Sequence, residues 1–264
     1  MSWTEALILG LLQGLTEFLP VSSSGHLELG GALFGLEDPH DFFTFNIVVH
    51  GATFLSVVVV FRNDILSLIL NFFRFRWNAE MKFVLLLLAS AIPTAIVGLL
   101  FEEQIERIFE GRVVFVGLML LVTATLLFLT RFAPPANKEV TLKSALVIGL
   151  VQTFAILPGI SRSGATISTA LFFGIERSQA IRFSFLMVLI PIFGANFLKI
   201  IRVSEQASAG NMDVAPMIIG AVAAFIAGVV ACKWMLSIVR RGKIEYFSIY
   251  CMLAGITAII AGSL

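Results

Sequence analysis

The segment EFLPVSSSGH, from Glu17 to His26, carries an acid, three serines and an imidazole within ten residues. The chain around this segment is strongly apolar, because 58% of its residues are hydrophobic and only 13% are charged. His26 can act as acid, base or nucleophile near neutral pH, and a hydroxyl beside it has the pairing that an activated nucleophile requires. An ionisable side chain at membrane depth costs at least about 2.5–3.5 kcal/mol, so it needs a partner or a task. The segment therefore predicts a functional site.

A second polar segment, PGISRSGAT at residues 158–166, contributes the permanent positive charge of Arg162. In both segments a helix is predicted to begin at the serine turn, where the hydroxyls act as N-caps. The free backbone N–H groups and the positive dipole end of such a helix favour an anion, above all a phosphate. The two serine turns therefore predict a phosphate-binding site.

A bound phosphate would repel Glu17 unless this carboxyl group is protonated, paired with Arg162 or bridged by a divalent cation. Oxygen ligands from a carboxylate and a phosphate suit Mg²⁺ or Ca²⁺. Gln13 lies one turn before Glu17 on the same helix face, and Ser23 and His26 share a face of the next helix. Three groups could attack the phosphorus in line, namely Ser23, His26 or a water molecule, and the sequence leaves all three open.

The two segments belong to an internal repeat. At a constant offset of 139, eleven residues of the first copy are identical in the second, namely Ala6, Leu7, Gly10, Leu11, Gln13, Ser22, Ser24, Gly25, Phe34, Gly35 and Glu37. The copies differ where the chemistry lies, because Glu17, Ser23 and His26 occur only in the first and Arg162 only in the second. This asymmetry predicts one site assembled from both copies.

Long apolar runs predict an all-α polytopic membrane protein, because a helix needs about 20 apolar residues to span the bilayer. The six predicted full spans are 42–61, 83–101, 113–131, 183–201, 215–235 and 246–263. Two helix pairs are too short to span, namely 5–19 with 24–36 and 142–157 with 162–175. Their Pro/Ser/Gly breaks predict re-entrant hairpins, which are tolerated only where protein or a water-filled cavity surrounds them.

The repeat divides a single integral membrane domain, residues 1–264, into two halves. The first repeat covers about residues 1–132 with its hairpin at 5–36, and the second about 140–264 with its hairpin at 142–175. Each half has one hairpin and three spans, so the second copy has inverted topology. Thirteen of the 18 Lys and Arg lie in segments 62–82, 131–143, 174–182 and 233–245, which the positive-inside rule assigns to the cytoplasm. Both termini then face outward, and the hairpin tips are predicted to meet near the midplane.

The segments QGLTEFLPVSSSGH at residues 13–26 and PGISRSGAT at residues 158–166 resemble the signatures of the undecaprenyl-diphosphate phosphatases, the bacitracin-resistance family. The resemblance covers essentially the whole chain. It implies an enzyme of the bacterial inner membrane that removes the terminal phosphate of undecaprenyl diphosphate on the outer, periplasmic side. This reaction recycles the lipid carrier for cell-wall synthesis and confers bacitracin resistance. The resemblance also implies a divalent cation, with Glu17 as metal ligand.

The resemblance further implies catalytic roles for Glu17, Ser23, His26 and Arg162. Within the two signatures we assign substrate binding to Gln13, Ser22, Ser24, Gly25, Ser161, Ser163, Gly164 and Thr166. The first position of the family's E/Q-xxx-E signature is Gln13 in this chain. Because glutamine is no general base and a weaker cation ligand than glutamate, Glu17 has to provide the acidic function alone.

A second interpretation is a transporter or flippase for a polyprenyl phosphate lipid, since such proteins share inverted repeats and broken helices. The asymmetric site favours the enzyme, because a transporter tends to keep both hairpins competent for substrate. The expected partners are the lipid substrate and membrane lipids, and nucleic acid is not expected. The sequence sets no oligomeric state and allows a homodimer. His50 lies on an apolar helix face and is expected to be a core histidine.

Overall fold

The computed structural model describes residues 1–36, 39–109, 112–194 and 214–263, and the described residues are mainly helical. The helices are α1 (Trp3–Phe18), α2 (Ser23–Phe34), α3 (Pro39–Val60), α4 (Arg62–Phe72), α5 (Ala79–Phe109), α6 (Val113–Leu129), α7 (Leu142–Phe154), α8 (Arg162–Phe172), α9 (Arg177–Met187), α10 (Val214–Arg240) and α11 (Phe247–Ala261). Short 3₁₀ turns follow α6 at Thr130–Phe132 and precede α11 at Ile244–Tyr246. This architecture confirms the predicted all-α class.

Five helices in the described part of the chain are long and apolar enough to cross a membrane. Their spanning portions are Phe42–Val60, Ala79–Gly98, Val113–Phe132, Val214–Arg240 and Ile244–Ala261. They coincide with five of the six predicted spans, while the sixth, 183–201, lies partly outside the described residues. Large apolar side chains are exposed along these helices, among them Leu118, Ile226 and Ile256. An apolar outer surface of this kind matches a lipid environment.

The two predicted helix pairs are present as α1 with α2 and α7 with α8. The four helices contain 16, 12, 13 and 11 residues, so each helix is about 17–24 Å long and shorter than the hydrocarbon core of about 30 Å. Three C-terminal ends fall two or three residues short of the predicted boundaries, including that of α8, which ends at Phe172 and not at residue 175. Helix α2 ends at Phe34, because Gly35 takes the left-handed conformation with φ of 61°. Helix α7 ends at Phe154, before Pro158, which disfavours helical geometry in the residue that precedes it.

The first helix of each pair packs against a long helix of the other half. Helix α1 lies along α10 and α7 lies along α5, while α6 packs against α11. Gly10 and Gly149 occupy equivalent positions of the repeat at these two contacts. A Cβ atom on Gly10 would overlap the carbonyl oxygen of Gly220, and one on Gly149 would overlap the carbonyl oxygen of Ser90. Each half therefore packs its first helix against a long helix of the other half, and only small residues permit helices to approach this closely.

Buried phenylalanines fix the end of α1 against helices of both halves. The ring of Phe18 meets the ring of Phe185 edge-on with centroids 5.7 Å apart, and Phe61 packs edge-on against the same ring at 6.0 Å. Phe18, Phe61 and Phe185 all belong to the largest buried cluster. Since Phe18 follows Glu17 directly in the chain, this packing fixes the end of the helix on which the predicted acid lies.

Replacing Gly149 by alanine tests the close crossing of α7 and α5. We expect Gly149→Ala to lower the midpoint of thermal unfolding in detergent by several degrees, because overpacking costs about 1–3 kcal/mol. The matched control is Gly98→Ala in α5, where an added Cβ would meet no heavy atom of a neighbouring element within 4 Å among the described residues. Alanine favours a helix over glycine, so the control is expected to keep or raise the midpoint. Equal midpoints for the two variants would contradict the close crossing.

Candidate active site

The two serine turns cap the helices that begin at them. The Oγ of Ser22 accepts a hydrogen bond from the Gly25 N–H at 3.3 Å, and the Oγ of Ser161 accepts one from the Gly164 N–H at 3.1 Å. These bonds involve equivalent positions of the repeat and confirm the predicted N-caps. Both turns therefore lie at a positive helix end, the geometry that favours an anion.

The tips of the two helix pairs touch each other. A Cβ built on Gly25 would lie 3.1 Å from the Cα of Gly159, and one built on Gly164 would lie 3.2 Å from the Cβ of Pro20. At the offset of 139, Gly25 corresponds to Gly164 and Pro20 corresponds to Gly159, so each contact is the counterpart of the other. This reciprocal contact confirms that the tips meet.

Hydrogen bonds between the tips hold a backbone conformation that is unfavourable by itself. Ser22 has φ of 69° and Gly159 has φ of 97°, both in the left-handed region. The Gly159 N–H donates to Ser22 Oγ at 3.2 Å, while Ser163 Oγ donates to the Leu19 carbonyl at 3.1 Å. Thr123 of α6 donates to the Gly159 carbonyl at 3.0 Å. Because a left-handed serine costs about 1–3 kcal/mol, these surrounding contacts are what maintain it.

Glu17 and Arg162 form a buried ion pair between the two tips. The Oε1 atom of Glu17 accepts a hydrogen bond from Nη2 of Arg162. Its Oε2 atom accepts from Ser23 Oγ at 2.6 Å and from Gln13 Nε2 at 3.0 Å. Glu17 is only 6% exposed, so the pairing compensates a charge that is removed from water. Of the three states that the sequence leaves open for Glu17, the structure shows pairing with Arg162.

Two buried polar atoms of this cluster have no hydrogen-bond partner within the described part of the chain, namely Nη1 of Arg162 and Oε1 of Gln13. A buried group without a partner costs about 1–3 kcal/mol, more when charged, which points to a ligand. The guanidinium N–H suits a phosphate oxygen, and the amide oxygen suits a cation. The described side chains contain no group of three or more His, Cys, Asp or Glu that could hold a metal. A cation here would therefore need amide and phosphate oxygens besides Glu17, a donor set that fits Mg²⁺ or Ca²⁺.

His50 of α3 lies at this cluster. Its Nε2 is 4.0 Å from Oε2 of Glu17, and its Nδ1 is 2.8 Å from the carbonyl oxygen of Asn46. Gln13 Nε2 reaches Oγ1 of Thr53, one turn further along α3, at 3.5 Å. The prediction of a satisfied core histidine is confirmed only in part. Nδ1 has a hydrogen-bond partner, but the side chain is 31% exposed and faces the Glu17 carboxylate. Asn46, His50 and Thr53 form a polar stripe at i, i+4 and i+7 of α3, and this stripe is the sequence pattern that could have indicated a site-facing side of the helix.

His26 is held through both of its ring nitrogens. Its Nδ1 is 2.7 Å from the carbonyl oxygen of Ser22, and its Nε2 is 2.7 Å from the hydroxyl of Tyr250 in α11. The ring is buried in the first turn of α2, three residues after Ser23. Its catalytic function stays a prediction. Tyr250 was not identified from the sequence, because it lies 224 residues away and belongs to no motif.

Other predicted site residues support the helices. Thr166 Oγ1 donates to the Arg162 carbonyl at 2.8 Å and is 2.6 Å from the hydroxyl of Ser184 in α9, so it braces the turn that holds Arg162. Gln152, the counterpart of Gln13, donates from Nε2 to Thr94 Oγ1 at 3.2 Å. Both glutamines therefore bond a threonine of a neighbouring helix, which indicates that the repeat shares them as part of its scaffold.

The site combines a paired carboxylate, a serine hydroxyl that donates to it, two facing helix N-termini and a guanidinium with one nitrogen that has no partner among the described residues. Fold and site define a helical membrane protein whose hydrogen-bond donors suit an anion and whose carboxylate faces a hydroxyl. The chain belongs to the family described as Bacitracin resistance protein BacA, whose model matches residues 6–257.

Named relatives extend over nearly the whole chain. The chain is 49% identical over 259 residues to the undecaprenyl-diphosphatase of Christiangramia forsetii, with 97% of each chain covered. It is 48% identical over 261 residues to the undecaprenyl-diphosphatase of Parabacteroides distasonis, with 98% of each covered. For the undecaprenyl-diphosphatase of Bacteroides fragilis the identity is 46% over 266 residues, with both chains covered completely.

Removing one partner of the Glu17–Arg162 pair tests whether it stabilises the meeting of the tips. We expect Glu17→Gln and Arg162→Met each to lower the unfolding midpoint in detergent, because an unpaired buried charge costs about 3–5 kcal/mol. The double variant leaves no uncompensated charge, so it should unfold at a higher temperature than either single variant. A double variant whose loss equals the sum of the two single losses would show that the pair is not coupled.

Proposed function

We propose that this protein hydrolyses undecaprenyl diphosphate to undecaprenyl phosphate and inorganic phosphate, and thereby recycles the lipid carrier for cell-wall synthesis. The single observation that carries this proposal is the buried Glu17–Arg162 ion pair where two helix N-termini meet. One nitrogen of this guanidinium has no partner within the described part of the chain and can donate to an anion. Relatives named undecaprenyl-diphosphatase, at 45–49% identity, support the choice of substrate. Resistance to bacitracin is proposed from the family description.

The terminal phosphate would bind between the two serine turns. The N–H groups that begin α2 and α8 and the free Nη1 of Arg162 are donors for its oxygens. The residues proposed to form this binding site are Gln13, Ser22, Ser24, Gly25, Ser161, Ser163, Gly164 and Thr166. Two helix dipoles and one guanidinium would together stabilise the charge that spreads over the phosphoryl oxygens in the transition state.

We assign the in-line attack to Ser23. Its hydroxyl donates to Glu17 Oε2 at 2.6 Å, the geometry of a nucleophile with its base. The serine oxygen forms a bond to the terminal phosphorus, the serine proton passes to Glu17, and the bond from phosphorus to the bridging oxygen breaks. Undecaprenyl phosphate leaves with that oxygen and its electron pair. Arg162 keeps the carboxylate in place and contacts the phosphoryl group that is transferred.

Hydrolysis of the phosphoserine completes the reaction, and we assign activation of the water to His26. The carbonyl of Ser22 can only accept, so Nδ1 of His26 carries a hydrogen and Nε2 is the nitrogen that can take a proton. The water oxygen bonds to phosphorus, and its proton goes to Nε2 as the Tyr250 hydroxyl on this nitrogen turns from donor to acceptor. The Ser23 oxygen leaves with the proton stored on Glu17. Inorganic phosphate is released, and the site returns to its initial state once His26 gives its proton to solvent.

A divalent cation, Mg²⁺ or Ca²⁺, is part of the proposal. Glu17 would hold it, with Oε1 of Gln13 as an amide oxygen ligand and the substrate's phosphates supplying the remaining oxygens. When bound, the ion would neutralise negative charge on the diphosphate and polarise the phosphoryl group.

We propose a single domain with six full spans, two re-entrant hairpins and an inverted repeat of about residues 1–132 and 140–264. The reciprocal packing of α1 on α10 and α7 on α5 supports the repeat. The short helix lengths support hairpins that do not cross the bilayer. We propose that both termini face outward, which the distribution of basic residues supports. The family resemblance supports a location in the bacterial inner membrane with the site open to the periplasmic side.

Phosphate release from undecaprenyl diphosphate by the purified protein tests the function. We expect release that a chelator abolishes, and that Glu17→Ala, Ser23→Ala, His26→Ala and Arg162→Ala each reduce by about two orders of magnitude or more. Matched controls are Glu5→Ala on α1 and Arg177→Ala on α9, whose side chains lie outside the site. Wild-type rates from Glu17→Ala or Arg162→Ala would rule out the shared site. Lipid transfer between leaflets without phosphate release would favour the transporter.

Labelling of introduced thiols tests the orientation in the membrane. We expect Ser263→Cys, at the exposed C-terminal end, to react with an impermeant maleimide in intact spheroplasts. Asn137→Cys, in an exposed turn of a basic segment, should react only after the membrane is opened. The native Cys232 and Cys251 are fully buried, so the unmodified protein serves as the blank. The opposite labelling pattern would reverse the proposed orientation.

A further inference from the structure

The hydroxyl of Tyr250 occupies the one nitrogen of His26 that can act as a base. Nε2 of His26 is 2.7 Å from this hydroxyl, while Nδ1 is 2.7 Å from the carbonyl oxygen of Ser22. The two rings are nearly parallel, with an interplanar angle of 10° and centroids 5.6 Å apart. His26 is 7% exposed, whereas Tyr250 is 47% exposed and lies on the outer side of α11. The tyrosine therefore lies between the buried imidazole and the surroundings of the helix bundle.

The hydrogen-bonding capacities of these groups determine the protonation pattern. A carbonyl oxygen only accepts, so Nδ1–H of neutral His26 donates to Ser22 and Nε2 accepts from the Tyr250 O–H. If Nε2 takes a proton, the same hydroxyl can rotate and accept from the new N–H. Tyrosine thus satisfies Nε2 in both protonation states, which a phenylalanine cannot do. Without this hydroxyl, the buried Nε2 would lose this partner in both protonation states.

We propose that Tyr250 is a positioning residue for the hydrolysis reaction, and that it acts through His26. The Ser22 carbonyl fixes the Nδ1–H tautomer, and the Tyr250 hydroxyl holds the ring with Nε2 at the place where a proton is taken up and released. This inference rests on the proposed function, because it assumes that His26 takes a proton during turnover. It also gives α11, a helix of the second half, a direct part in the chemistry that the first half provides.

Structural support for the hairpin is the competing explanation of the same contact. In that case loss of the hydroxyl would weaken the packing of α2 against α11 and lower stability, and its effect would add to that of any change at His26. A positioning function predicts instead that the effect of Tyr250 disappears when the imidazole is absent. A double-mutant cycle separates these two outcomes.

The kinetic experiment compares Tyr250→Phe, His26→Gln and the double variant in phosphate release from undecaprenyl diphosphate. We expect Tyr250→Phe to lower kcat by about tenfold and to change KM less than about twofold, because one bond to a proton-accepting group is lost while substrate contacts remain. In the His26→Gln background the same change should lower kcat no further. The chain contains two tyrosines, so Tyr246→Phe, at a position that is 62% exposed, is the matched control with wild-type kinetics expected.

A spectroscopic measurement tests the contact without using activity. The chain has three histidines, so ¹⁵N-histidine labelling gives few imidazole signals, and the His26→Gln variant identifies those of His26. We expect Tyr250→Phe to shift the Nε2 resonance of His26 and to leave its Nδ1 resonance in place. Tyr246→Phe should leave both resonances unchanged.

Several results would overturn the inference. The tyrosine would not act through His26 if the fold-loss of kcat in the double variant equalled the product of the two single losses. The same conclusion would follow from a wild-type kcat in Tyr250→Phe. Wild-type kcat in His26→Gln would remove the premise while the phosphatase function remains. An unchanged Nε2 resonance in Tyr250→Phe would show that the bond does not exist. Failure of the proposed function has a different signature, namely a wild-type protein that releases no phosphate although its His26 signals respond to Tyr250→Phe.

Discussion

The ion pair between Glu17 and Arg162 is the interaction on which the rest of the structure depends. Each charge comes from a different half of the chain, and neither could remain alone in a protein of this apolarity without a cost of several kcal/mol. The tips have to meet for the charges to be compensated, so assembly of the two halves and formation of the site are one event. Gly10 allows α1, which carries Glu17, to pack closely on its partner helix. Gly149 does the same for α7, which precedes the helix that carries Arg162.

Comparison of the two halves separates the scaffold from the chemistry. The N-caps Ser22 and Ser161 make the same hydrogen bond, each accepting from the backbone N–H of the glycine three residues further on. Gln13 and Gln152 each bond a threonine on a neighbouring helix. These shared features build two facing helix N-termini whatever ligand is bound. The acid, hydroxyl and imidazole on one side and the guanidinium on the other have no counterparts. The positions that the copies share therefore form two facing helix N-termini, which suit an anion, and the residues of the proposed chemistry lie where the copies differ.

Local patterns in the sequence were sufficient for much of this site. The breaks at the serine turns, the N-caps, the short helix pairs and the pairing option for Glu17 all follow from neighbouring residues and from the repeat. Contacts between residues that lie far apart in the chain could not be predicted from such local patterns. His50 shares a polar stripe with Asn46 on α3, which marks a face but does not reveal that this face turns toward Glu17. The contact between His26 and Tyr250 depends on how α11 packs, and no spacing in the chain encodes it.

The shared ion pair also bears on the choice between hydrolysis and transport. A transporter that exposes its site alternately to both sides would have to move one tip past the other, and the hydrogen bonds from Gly159 to Ser22 and from Ser163 to Leu19 oppose this motion. Breaking the buried pair in each cycle would cost about 3–5 kcal/mol unless substrate replaced the lost partner. A phosphate could replace Glu17 beside Arg162, but it could not replace Arg162 beside Glu17, since both groups are anionic. The contacts between the tips are therefore suited to a fixed site, where the phosphate would bind beside an ion pair that remains formed.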